Sequence, residues 1–127
     1  MTAVILELRP NDRVCQDAGP IALMYRSMGA QAAEEVVARA LGELALTMSD
    51  LAEQVPDGPV PDVCRRLRRL QRMAEQLGLV SLGHVAEDAR ICLEIGDLMA
   101  FDAVWARLVR VAQVSFAMDK GAKDRHR

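Results

Sequence analysis

RRLRRLQRMAEQLG, residues 65–78, sets five arginines within eight residues beside a row of leucines. Leu67, Leu70, Ala74 and Leu77 recur at steps of three and four residues, the spacing of one face of an α-helix. At about 100° per residue, Arg65, Arg68, Arg69 and Arg72 share the opposite face and Arg66 lies toward the flank. Such a helix buries its apolar stripe only against other elements. The rest of the chain must supply them.

Upstream, VPDGPVP at 55–61 holds three prolines and a glycine in seven residues and reads as a loop. Pro61 and Asp62 open the arginine-bearing helix, since an early proline loses no intrahelical bond and an early carboxylate favours the helix dipole. A further helix from Ala30 to Gln54 carries Ala33, Val37, Ala40, Leu44, Met48 and Leu51 at helical steps. Pro20 suits the first turn of a short helix over 20–28, closed near Gly29. Residues 1–18 read as an arm, with AVILEL extended against the domain and a turn at Pro10-Asn11-Asp12.

Downstream, Gly78 marks a break. A helix over 80–94 follows, with Val85, Ala89 and Cys92 inward. In Ile95-Gly96-Asp97, Gly96 takes the left-handed conformation that helix ends favour, and Asp97 caps the last helix. That helix, over 98–118, carries Phe101, Val104, Leu108, Val111 and Ser115 on one stripe, with Trp105 packed beside it. DKGAKDRHR, residues 119–127, reads as a polar, flexible tail. The expected fold is all-α: an up-and-down antiparallel four-helix bundle with a short N-terminal helix and arm. No repeat or linker divides it, so residues 1–127 read as a single domain.

Composition agrees. Half the residues are hydrophobic, yet only four are aromatic, so Leu, Val, Ala, Ile and Met must build the core. Good helix formers dominate and strand-like alternation is scarce. The net charge of −2 gives no global field toward nucleic acid or membrane. Cys15, Cys64 and Cys92 are far apart, odd in number and outside any metal-ligand spacing, which suits reduced thiols in the cytoplasm. MTAVILEL is too short for a signal peptide and lacks its basic start, and no run reaches the roughly 20 apolar residues of a membrane span.

LGLVSLGHVAEDARICLEIGDLMAFDAVWARL, residues 77–108, continues the arginine-bearing helix through a glycine, an LE near the end of the next helix, and a GD turn. This arrangement resembles the histidine phosphotransfer domain, a four-helix bundle that relays phosphoryl groups between histidine kinases and the aspartates of response regulators. The resemblance spans about 30–118. In the family a phospho-accepting His is followed three residues on by Lys and then Gly, with a second Gly about ten residues after the His. Gly78 matches that second glycine. Ten residues back stands Arg68 in the histidine's place, with Gln71 and Arg72 at the Lys and Gly positions. The resemblance therefore implies a degenerate, non-catalytic member with no cofactor and no metal, in a bacterial cytoplasm. Its partner is a response-regulator receiver domain or a histidine kinase.

On composition alone the arginine run is a solvated helix surface. With the resemblance it becomes a docking face, formed by Arg65, Arg68, Arg69, Gln71 and Arg72, because guanidinium groups suit carboxylates and phosphates. Nucleic acid is disfavoured by the negative charge and by the lack of aromatics for stacking. His84, a displaced phospho-acceptor in an alternative reading, lies sixteen residues beyond Arg68, about 160° round an unbroken helix, and lacks a following Lys-Gly. It reads as an ordinary flank histidine, and His126 falls in the tail. Glu87, Asp88 and Glu94 read as surface charge, and Met24, Met28 and Met48 as core filling. No P-loop, nucleophile elbow or HExxH is present. A different class of function remains open: an assembly module whose arm and first helix cover a homodimer interface.

Overall fold

The computed structural model describes residues 14–125, with side chains over 14–116. These residues form five helices and no strand: α1 (Gly19–Met28), α2 (Ala30–Gln54), α3 (Val60–Gln76), α4 (Val80–Ile95) and α5 (Leu98–Arg125). Each helix packs against the next in the chain. No helix among the described residues is long and apolar enough to cross a membrane.

The helix boundaries follow local chemistry. Pro20 sits in the first turn of α1, and Gly29, at φ +86°, separates α1 from α2. The prolines of 55–61 end α2; extended Pro59 and then Pro61 start α3, with Asp62 in its first turn. α3 and α4 close in the same way. Beyond α3, Gly78 at φ +74° donates its N–H to Glu75 O at 3.1 Å, and Leu79 donates to Ala74 O at 2.8 Å. Beyond α4, Gly96 at φ +78° donates to Leu93 O at 3.1 Å and Asp97 to Cys92 O at 3.0 Å. In both, a left-handed glycine lets two amides satisfy carbonyls that the helix end leaves open. Asp97 then caps α5, its Oδ1 accepting from Ala100 N at 3.0 Å.

α5 differs from expectation at its end. The tail expected from residue 119 is helical through Arg125. Residues 119–125 hold no proline, and one glycine in seven residues does not stop a helix already propagating. The arm is described only from residue 14; its AVILEL segment and its turn at 10–12 lie outside the described residues.

The core joins Leu44 and Leu51 of α2, Leu67 and Leu70 of α3, Leu82 and Val85 of α4, and Leu108 and Val111 of α5. Each large aliphatic side chain so buried contributes roughly 1.5–3 kcal/mol. Phe101 belongs to this core and stacks on partly buried Trp105, with ring centroids 6.3 Å apart. Met24 and Met48 are partly buried against the core, as their reading as core filling requires, whereas Met28 is exposed.

Candidate partner-binding surface

α3 places its apolar residues inward, and Arg65, Arg66, Arg68, Arg69 and Arg72 are all exposed. The sequence treats four of these arginines as one face. The structure divides that face between two neighbouring helices.

Toward α4, Arg68 Nη2 meets Glu94 Oε2 at 3.0 Å, and Arg90 Nη1 meets Glu94 Oε1 at 2.8 Å. Glu94 thus bridges an arginine from each helix. Gln71 Nε2 donates to Glu87 Oε2 at 2.8 Å and to Glu75 Oε2 at 3.3 Å. Buried Cys64 lies within the field of this network. Burial and the Glu94 carboxylate push its thiol above the ordinary value of 9.0, against the pull of Arg68 and Arg90.

Toward α2, Arg65, Arg66, Arg69 and Arg72 line one wall of an open groove of about 760 Å³. Glu43, Leu46, Thr47, Asp50 and Gln54 line the other. These α2 positions recur at helical steps and so share one stripe. Arg65 pairs with Asp62 within its own helix. Arg66 crosses to Asp50 at 3.2 Å. Arg69 and Arg72 have no ion-pair or hydrogen-bond partner among the described residues. They are three residues apart on one helix, which makes them neighbours on its surface. Thr47 is buried under the groove, its hydroxyl donating to Glu43 O at 2.9 Å.

Other candidate groups do not converge. His84 is exposed on α4 and makes no hydrogen bond or ion pair with the described residues. Glu87 and Glu94 each bind a different α3 side chain, and Asp88 is exposed. Among the described residues no group of three or more His, Cys, Asp or Glu side chains could hold a metal ion. The three cysteines are free: Cys64 is buried, Cys92 is partly buried against the core, and Cys15 is exposed.

Arg90, Asp50 and the rest of the α2 wall lie outside the residues that the sequence singles out for this surface, and Arg66 is read there only as a flank residue. Arg90 has a sequence signal, the i,i+4 spacing to Glu94. Arg66 and Asp50 have none, because their contact depends on how α2 lies against α3.

No family model, curated protein or solved structure matches the chain.

Proposed function

We propose that this chain is a non-catalytic, protein-binding module of the histidine phosphotransfer type, and that the exposed face of α3 docks an acidic surface on a receiver domain or a histidine kinase. One observation carries the reading: Arg69 and Arg72 stand one helical turn apart, exposed and without an ion-pair partner among the described residues. A guanidinium pair in this state can take carboxylates or a phosphoryl group without first breaking an internal ion pair. Arg65 and Arg68 flank the pair, each engaged with a carboxylate that a stronger acceptor could displace.

The contacts between helices support an up-and-down four-helix arrangement for α2–α5. Going forward along α3, from Arg68 to Gln71, the α4 partner moves back from Glu94 to Glu87. From Arg66 to Met73, the α2 partner moves back from Asp50 to Thr47. Both shifts favour neighbours of α3 that run opposite to it, the sense an up-and-down bundle requires of α2 and α4. Arginine at position 68 offers no imidazole to phosphorylate, which supports binding without relay.

The test is binding of purified receiver domains and kinase dimerisation domains to the full chain, measured by calorimetry, with the Arg69→Glu/Arg72→Glu variant alongside. The expected result is binding that the double reversal weakens about tenfold or more. Binding that the variant leaves unchanged overturns the reading. So does acid-labile phosphate appearing on the protein after incubation with a phosphorylated receiver.

A further inference from the structure

The groove between α2 and α3 carries both signs of charge. Its α3 wall presents Arg69 and Arg72, and its α2 wall presents Glu43, none of which has an ion-pair partner among the described residues. On the α2 wall, one helical turn from Glu43, Leu46 holds an apolar side chain 66 % exposed. Asp50 and Arg66 pair across the groove at 3.2 Å.

We propose that this groove is a self-complementary interface whose occupant is the same groove of a second copy of the chain. A two-fold axis sets the basic wall of one copy on the acidic wall of the other and places the two Leu46 side chains near the axis. Each copy's Glu43 then faces Arg69 and Arg72 of the other, so three unpaired charges on each side gain partners. The mixed charge of the groove selects this occupant. A purely acidic partner that fills the groove, rather than resting on the α3 face alone as the proposed receiver or kinase does, satisfies the two arginines but sets its own carboxylates against Glu43 and Asp50. A purely basic partner meets the opposite conflict with the arginine wall. Only a surface with both signs in the complementary order avoids both conflicts, and this chain presents one.

The interface stands independently of the proposed receiver or kinase partner. It has one consequence for that partner: the dimer covers Arg69 and Arg72, so the two associations compete for the same guanidinium groups.

Sedimentation of the full chain over a wide concentration range tests the inference, with circular dichroism confirming that each variant keeps its helix content. The expected result is a monomer–dimer equilibrium that weakens as salt is added, since exposed charge pairs are screened. Leu46→Glu, Glu43→Arg and Arg72→Glu each weaken it about tenfold or more. Combining Glu43→Arg with Arg72→Glu recovers part of the association relative to either reversal alone, because the exchanged charges at 43 and 72 again face each other with opposite signs while Arg69 is unchanged. A monomer at every concentration overturns the proposal. So does a dimer that Leu46→Glu and the reversals leave intact but removal of residues 1–28 abolishes, which places the contact elsewhere. Binding of a receiver is scored separately, so loss of the dimer with receiver binding retained rejects this interface and leaves the docking face standing.

Discussion

The backbone N–H of Asp17 donates to the carbonyl oxygen of Gly78 at 2.7 Å, tying the segment before α1 to the turn between α3 and α4. Two further bonds hold the same junction. Cys15 N donates to Ser81 Oγ at 2.6 Å, and Ser81 N donates to Cys15 O at 3.2 Å. Gly78 therefore serves two functions: its φ of +74° closes α3, and its missing side chain admits the Asp17 backbone. A Cβ at position 78 falls 1.9 Å from Asp17 O.

Gly78→Ala and Gly96→Ala separate these two effects. Both glycines are left-handed, at φ +74° and +78°, but Gly96 has nothing within 4 Å of an added Cβ. Gly96→Ala is expected to lose only the backbone preference, roughly 1–2 kcal/mol. Gly78→Ala loses that and also forces the Asp17 backbone away. Thermal unfolding of the two variants checks this: Gly78→Ala lies clearly below Gly96→Ala, and equal midpoints refute the role of the Asp17 contact.

The sequence shows α1–α4 to within a residue or two because their ends are written in local chemistry: Pro20, Gly29, the prolines of 55–61, Gly78, and Gly96 with Asp97. The stripes are legible for the same reason, and Leu67, Leu70 and Leu108 are buried as their spacing requires. The end of α5 is not legible, since nothing in 119–125 marks a stop or demands continuation. The candidate site is legible only as a set of residues on one helix. Helical phase puts Arg68 and Arg69 on one face, but a long side chain on the ridge of α3 leans toward whichever neighbour offers a partner. Glu94 draws Arg68 toward α4, whereas Arg69 lines the α2 groove. That outcome depends on helix packing, which period alone does not encode.

Cys64 is expected to be the slowest of the three thiols toward a disulfide reagent, and exposed Cys15 the fastest. The sign follows from the raised pKa: at a given pH above neutrality Cys64 holds less thiolate than an ordinary cysteine, and the thiolate is the nucleophile. The same shift gives a stability signature. Its contribution is complete below the ordinary thiol value of 9.0 and is lost as pH rises through the higher folded-state value. Glu94→Gln removes one raising influence and leaves Arg68 and Arg90 lowering it. Cys64 in that variant reacts faster, though still held back by burial, while stability falls by no more than about 1 kcal/mol, because the ion pairs involved are partly exposed. Unchanged reactivity of Cys64 in Glu94→Gln refutes the electrostatic link.

Ser115 sits in the α5 stripe at 1 % exposure, and its hydroxyl has no hydrogen-bond partner among the described residues. A buried hydroxyl without a partner keeps its desolvation penalty. Ser115→Ala removes the penalty together with one small atom. The expected result is a gain of up to about 1 kcal/mol, or a rise of about 4 °C in the thermal midpoint. A loss of stability of that size contradicts the absence of a partner.

The arginines of α3 should differ in what charge reversal does to the fold. Arg68→Glu breaks the contact with Glu94 and sets a second carboxylate beside it, so a loss of about 1 kcal/mol is expected. Arg69→Glu breaks no ion pair. It also replaces a like-charge neighbour of Arg65 and Arg72, at i−4 and i+3, with an opposite charge, a gain of a few tenths of a kcal/mol. Denaturant unfolding of the two single variants measures the difference, and equal losses contradict the division of the arginine face. The ordering also governs how binding data are read. Weaker partner binding in Arg69→Glu reports on the docking surface itself, whereas weaker binding in Arg68→Glu mixes docking with a disturbed α3–α4 contact. If Arg68→Glu abolishes binding and Arg69→Glu/Arg72→Glu does not, the docking reading built on Arg69 and Arg72 is overturned: the partner lies over the α3–α4 ridge, and the groove beside α2 is left to the second copy.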